Sequence, residues 1–292
     1  MKIAASSYSF SQYINDGRLT QFDCIAKAKD LGFDAIEFVD FLTPKGTDPL
    51  DYAKALREEC ERLEMPVSNF TVGAELLHPS TTLEEEIQRV KSMVDLAAAL
   101  GATSMRHDAT SGYAPGTRSY RGFADALAVI APACRTITEY AAEKGVRTMV
   151  ENHGFFCQDS ERVEALVNAV AHDNFGLLCD MGNFLCADEA PASAFGRVAP
   201  YAFYVHAKDF IVKSGDGRDP GKGFFRSRNG NYLRGTIVGH GDVPILHCLS
   251  ALKNAGYAGA IAIEFEGMED CLDGLRIGLA NLRRAIADAG LE

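Results

Sequence analysis

The strings VENHG (150–154), CDMGN (179–183), YVHAKDF (204–210) and IAIEFEG (261–267) decide how this chain folds. Each is an apolar run that stops at a residue able to ligate a metal: Glu151, Asp180, His206 and Glu264. The successive intervals between positions 151, 180, 206 and 264 are 29, 26 and 58 residues. The first two match the roughly 30-residue strand-plus-helix unit of a (β/α)8 barrel. That spacing predicts consecutive parallel strands, each delivering one side chain to the C-terminal rim where such barrels carry their chemistry.

Outward from these strings the same alternation runs along the chain. Strands are predicted at Lys2–Phe10, Ala35–Asp40, Pro66–Val72, Thr103–His107, Arg147–Glu151, Phe175–Asp180, Ala202–His206 and Ala260–Glu264. Apolar i, i+3, i+4 spacing predicts intervening helices at Leu19–Leu31, Leu50–Leu63, Leu83–Leu100, Tyr120–Lys144, Ser160–Ala171, Ala190–Val198, Val243–Ala255 and Cys271–Ala287. Several end at glycine, as in LGF, LGA, KGV and AGY, a left-handed cap that L side chains adopt reluctantly. Strict strand–helix alternation gives an α/β fold, one (β/α)8 TIM barrel over a single domain, 1–292. The 58-residue interval holds a Gly-, Arg- and Lys-rich stretch too irregular for a strand and helix; it reads as an enlarged loop after strand 7, hanging over the rim.

Composition narrows the function classes. With 29 basic and 40 acidic residues the chain carries −11, which disfavours nucleic acid as a partner. Hydrophobic residues make up 47%, enough for a large core, yet no uninterrupted 18-residue apolar stretch suggests a membrane span. The opening MKIAASSYSF has one lysine and no long apolar segment, so no secretory leader is expected. Eight cysteines are scattered without a CxxC pair, the pattern of reduced thiols in a cytoplasmic protein.

Three carboxylates and one imidazole make a hard, oxygen-rich donor set that suits Mn²⁺, Mg²⁺, Co²⁺ or Fe²⁺, with Zn²⁺ as a further choice. Four protein ligands leave room for two substrate oxygens, such as those of a hydroxy-ketone or diol. Glu151 and Glu264, from strands well apart on the ring, can then abstract and return a carbon-bound proton through an enediolate. A lone carboxylate at a strand end is usually a helix cap or a surface charge; four such residues ending four successive strands point instead to a shared site. Other polar residues near predicted strand ends are candidates to contact substrate: Glu37 and Asp40, His107 and Asp108, His153, and Lys208. Lys208 is expected to point toward the rim and Asp209 away from it, with a structural salt bridge as the equal alternative. Arg226, Arg228 and Arg234, in the long loop, are candidates to clamp a carboxylate or phosphate.

The VENHG, CDMGN, HAKD and IEFEG strings, with the GHGDV turn at 239–243, resemble the xylose isomerase-like TIM barrel superfamily of sugar phosphate isomerases and epimerases. The resemblance spans essentially the whole chain. It implies that Glu151, Asp180, His206 and Glu264 bind one divalent cation, often Mn²⁺, and that the two glutamates form the acid/base pair of a sugar or polyol isomerase or epimerase. It also brings in lyases as an alternative, of the inosose or dehydroshikimate dehydratase kind or as the barrel subunit of a C-glycoside-cleaving enzyme. Partners implied are a small carbohydrate or polyol substrate, and a homo-oligomer or a hetero-complex with a small partner chain. A barrel that only binds sugar is the non-enzymatic alternative. Ketose 3-epimerases of the superfamily carry His three residues after the ligand Asp and Arg shortly after the ligand His; this chain has Asn183 and, over Asp209–Lys213, no Arg.

Overall fold

In the computed structural model, which describes residues 1–114, 116–117 and 121–291, the strand–helix alternation closes on itself. The strands in chain order are β1 (Ile3–Ser6), β2 (Ala35–Val39), β3 (Val67–Val72), β4 (Ser104–His107), β5 (Arg147–Glu151), β6 (Phe175–Asp180), β7 (Ala202–Ala207), a trio β8 (Asp209–Lys213), β9 (Phe225–Arg226) and β10 (Tyr232–Thr236), and β11 (Ile261–Ile263). The longer helices are α1 (Ser11–Asn15), α2 (Gln21–Leu31), α3 (Pro49–Arg62), α4 (Leu83–Leu100), α5 (Phe123–Glu143), α6 (Ser160–Val170), α7 (Pro191–Val198), α8 (Ile245–Asn254) and α9 (Cys271–Ala289). Strands β1 to β7 and β11 form a closed parallel barrel in the order β1-β11-β7-β6-β5-β4-β3-β2. This is the (β/α)8 TIM barrel, with the enlarged segment after its seventh strand.

Local chemistry sets the element ends. Thr20 with Asp23 and Thr82 with Glu85 form reciprocal capping boxes at the starts of α2 and α4. Gly32 and Gly101 close the same two helices in the left-handed region. The expected first strand, Lys2–Phe10, stops at Ser6, and residues 7–10 turn as a 3-10 helix. The cause is Ser9, whose hydroxyl donates to the Ile263 carbonyl and accepts from the Phe265 amide, drawing the chain over the end of β11. The helix expected from Tyr120 begins at Phe123; Tyr120 itself lies outside the described residues.

Barrel alternation fixes which side chains reach the mouth. Ala4, Ala35, Met149, Leu178, Tyr204 and Ala262 form one buried cluster although they come from six strands around the ring. Side chains that meet from all round a barrel meet inside it. Because strand residues alternate faces, positions two further along, including Glu37, Glu151, Asp180, His206 and Glu264, point the same way one layer higher. Among the described residues no helix is long and apolar enough to cross a membrane. All eight cysteines are free and buried.

The segment after β7 is not the irregular loop expected. It folds into an antiparallel sheet in the order β8-β10-β9, registered from Tyr232 opposite Lys213 to Thr236 opposite Asp209. Phe210 and Leu233 bury themselves against Cys186, giving the sheet a small core of its own. Asp209 anchors its base by accepting from the backbone amides of Phe210, Gly239, Gly241 and Val243 at 2.8–3.1 Å. Asp209→Ala strips four N–H groups of their acceptor. The expected cost is about 2–5 kcal/mol, read by urea unfolding, with faster amide exchange in 209–243 than elsewhere in the barrel.

Candidate metal centre

Strands β5, β6 and β7 carry Glu151, Asp180 and His206 at or next to their ends, and Glu264 follows β11 directly. One ligand atom from each of these four lies within 4.8 Å of all the others. Each side chain is oriented by a group outside the quartet. Asp180 Oδ1 accepts from the amides of Gly182 and Asn183 at 2.8 and 2.7 Å, leaving Oδ2 turned to the cluster. Asn152 locks the ends of β5 and β6 together by bonding both the amide and the carbonyl of Asp180. Glu151 receives Asn183 Nδ2 at 2.9 Å on one oxygen and Arg106 at 2.6 Å on the other.

The donor set fits a divalent cation. His206 Nδ1 stands 3.6 Å from Glu264, 3.7 Å from Asp180 Oδ2 and 3.8 Å from Glu151. Ligands about 2.1 Å from one ion are separated by about 3 Å when adjacent and about 4.2 Å when opposite. His206 Nδ1 and Asp180 Oδ2 are both fully buried without a hydrogen-bond partner. Two orphaned acceptor-capable atoms facing each other in a protein interior call for a shared partner, a place the four residues could give to a metal ion.

Behind this quartet stands Glu37. It was expected to bind substrate, but it is completely buried, and its Oε2 sits 2.8 Å from His206 Nε2. Its other oxygen accepts from Asn69 and Thr71 at 2.9 and 2.7 Å. Glu37 therefore orients the imidazole, presenting Nδ1 to the cluster, in the carboxylate–histidine arrangement common around metals. His107 needs the same correction. It is wholly buried, packed near Phe175, with Nδ1 against the Asp108 carbonyl. One residue earlier, Arg106 is the group of β4 that points inward, reaching Glu151 and Asp108 at 2.6 and 2.9 Å. Alternation decides this, and an inward arginine among carboxylates is the signal that sequence reading missed.

A cavity of about 250 Å³ opens above the quartet, lined among others by Tyr8, Arg106, His153, Lys208, Glu264 and Glu266. Lys208 lies 2.5 Å from Glu264, 3.4 Å from Glu266 and 3.5 Å from Asp180. It also donates to Asn183 Oδ1 at 3.3 Å. His153 borders the opening with Nδ1 2.9 Å from Asp108. Arg226 is elsewhere: it stacks on Tyr232, 4.0 Å from the ring centre, and donates to the Gly230 carbonyl. Arg228 bonds the Phe155 carbonyl and Asp159, and Arg234 pairs with Glu269. These three arginines brace the inserted sheet and do not line the cavity.

The crowding shows in the proton affinities. Burial, together with the Glu151 and Glu264 carboxylates, raises Asp180 to about 7. Burial alone would lower His206, yet Glu37 and Glu264 hold it well above the ordinary imidazole value. For Glu264, Lys208 and His206 overcome burial and keep the carboxyl well below its usual range. Asp108, beside Arg106 and His153, drops to about 2 against the effect of burial.

The family model described as xylose isomerase-like TIM barrel matches residues 25–287. The uncharacterized protein YihM of Escherichia coli strain K12 is 26% identical over 177 residues, 60% of this chain and 47% of the relative, so the match spans about half the length of that curated protein. Three solved structures share the fold. The probable 3-DHS dehydratase AsbF of Bacillus anthracis superposes with a TM-score of 0.72 at 18% identity, covering 97% of this chain and 99% of its own. A xylose isomerase-like barrel from Mycobacterium smegmatis in complex with magnesium gives 0.73 at 17%, covering 99% and 97%. The 3-keto-D-glucoside 4-epimerase YcjR of E. coli gives 0.70 at 15%, covering 97% and 99%.

Two outcomes follow for the metal. Binding must displace protons from Asp180 and His206, so uptake releases protons and apparent affinity falls as pH is lowered through about 7, the value to which burial raises Asp180. Titration of Mn²⁺ or Mg²⁺ into weakly buffered protein at several pH values checks it. Glu37→Gln keeps the side chain's shape but weakens its hold on His206, and should lower metal affinity about 10–100-fold and shrink the rise in melting temperature that the metal gives wild type.

Proposed function

This chain belongs to the xylose isomerase-like TIM barrel family, and on that footing we propose that it is a divalent-metal-dependent isomerase or epimerase of a sugar or polyol. The observation that carries the reading is the convergence of Glu151, Asp180, His206 and Glu264, with Asp180 Oδ2 and His206 Nδ1 left unpartnered in the interior. A bound divalent ion supplies Lewis-acid polarisation of a substrate carbonyl. Mn²⁺ is our first choice, with Mg²⁺, Co²⁺, Fe²⁺ and Zn²⁺ compatible with the same donors.

The chain's own groups then handle the proton. Glu151 and Glu264 border one cavity and serve as the pair that removes and returns it, passing through an enediolate. Arg106 and Asn183 keep the Glu151 carboxylate aimed, and Lys208 does so for Glu264. Tyr8 and His153 at the opening offer hydroxyl and imidazole groups to the substrate. A lyase is the second reading, supported by the likeness to the Bacillus dehydratase and by Lys208, a proton-bearing group that lines the cavity.

Glu151→Gln and Glu264→Gln keep an oxygen for the metal and remove the proton carrier. Each should retain metal while turnover falls about 10²–10⁴-fold. In D₂O the isomerase reading expects solvent deuterium in recovered substrate and a product of otherwise unchanged mass; a product lighter by one water assigns the lyase instead. Full activity in both glutamine variants would sink the assignment of the pair.

A further inference from the structure

Resting on the proton-transfer reading above, we propose that the cavity takes an uncharged polyhydroxylated substrate and rejects the corresponding phosphate esters and carboxylates. The argument begins with the backbone. Barrels often hold a substrate phosphate on amide groups of the loops after the seventh and eighth strands and a helix N-terminus nearby. Here those amides are occupied by the chain's own carboxylates. After β7, the amide nest formed by Phe210, Gly239, Gly241 and Val243 is filled by Asp209. After β11, the first amides of α9, those of Leu272 and Asp273, are capped by Asp270 at 3.0 and 3.2 Å.

Side chains repeat the message. Around the cavity stand the carboxylates of Glu151, Asp180, Glu264, Glu266 and Asp108, with Glu37 one layer behind. Two fixed cations face them, and each is already shared among carboxylates: Arg106 with Asp108 and Glu151, Lys208 with Glu264, Asp180 and Glu266. His153, when protonated, adds its charge to Asp108. A divalent ion cancels two charges and leaves carboxylates in excess. An entering phosphate would meet repulsion in a setting where charges are weakly screened. Arg226, Arg228 and Arg234 offer no relief, being engaged with Tyr232, Asp159 and Glu269.

A neutral polyol meets the opposite situation. Tyr8 and His153 line the cavity with a hydroxyl and an imidazole, and the carboxylate rim accepts from hydroxyl protons. The cavity's volume of about 250 Å³ lies at the small end of ligand sites and so favours a small substrate. Charge exclusion would thus come from the wall, and hydroxyl recognition from the same groups.

The test uses matched probes on the full chain saturated with Mg²⁺: myo-inositol against its 1-phosphate, D-fructose against its 6-phosphate, and D-glucose against D-glucuronate. Affinity is read from ligand-induced shifts in melting temperature, which need no turnover. The neutral member of the pairs that bind should be favoured by about tenfold or more. Glu266→Gln removes one rim carboxylate and should narrow that preference about three- to tenfold, an effect that a purely structural role for Glu266 would not produce. Equal binding within the pairs, tighter binding of the anions, binding by no neutral probe, or an unchanged preference in Glu266→Gln overturns the proposal. Deuterium exchange on the same probes is scored separately: a neutral preference without exchange into any carbonyl compound defeats the proton-transfer reading and leaves the charge preference standing.

Discussion

Three carboxylates and an imidazole gathered within 4.8 Å inside a protein repel one another and have lost most of their water. Left alone, such a group would open or take up protons, as the rise of Asp180 to about 7 records. Much of the surrounding polar structure answers that constraint. Arg106 and Lys208 bring opposite charge to Glu151 and Glu264, two backbone amides hold one oxygen of Asp180, and Glu37 holds the far side of the imidazole. These supports reach every ligand, yet they leave Asp180 Oδ2, 3.5 Å from the Lys208 ammonium, and His206 Nδ1 without a hydrogen bond. The deficit that remains has the shape and sign of a cation.

The barrel beneath is built to bear this load. Glu37 is tied through Asn69 and Thr71 of β3, and Asn69 accepts in turn from Ser104 of β4. Orientation of one histidine on β7 is thereby shared with three other strands. Directly below, alanines at 4, 35 and 262 leave room for Tyr204, whose hydroxyl bonds Ser68 at 2.7 Å. Small residues on some strands and large ones on others make a buried apolar layer beneath the polar one, so the quartet rests on side chains that are themselves held from several strands.

How much of this was legible in the chain follows from what periodicity encodes. Apolar runs ending at Glu151, Asp180, His206 and Glu264 carry both the strand and its terminus, so the barrel and its quartet could be read together. Facing is subtler, because a strand buried on both sides shows no alternation in composition. His107 and Arg106 adjoin, and only the closed ring shows that the arginine faces in and the histidine out. Glu37 ends its strand like any rim residue, and its partner His206 lies 169 positions away. The inserted sheet escaped notice for another reason: β9 is two residues long, and its neighbours are interrupted by Gly, Arg and Asn. Its stability comes from Asp188 and Asp209 accepting backbone and side-chain donors, contacts that no periodic pattern announces.

The two glutamates of the centre are chemically unlike despite their matching positions at strand ends. Glu151 is held by a guanidinium, which does not release a proton at any working pH, and by the neutral amide of Asn183. Glu264 is held by an ammonium 2.5 Å away, which is itself shared with Asp180, Glu266 and Asn183. One side of the cavity therefore holds a guanidinium–carboxylate pair, while on the other the ammonium of Lys208 keeps the Glu264 carboxyl ionised, well below its usual range. Asn183 touches both sides, donating to Glu151 and accepting from Lys208. A neutral histidine also carries one donor and one acceptor, but it would add a titratable group between the two sides. The asparagine ties the two halves together at constant charge, donating to one and accepting from the other.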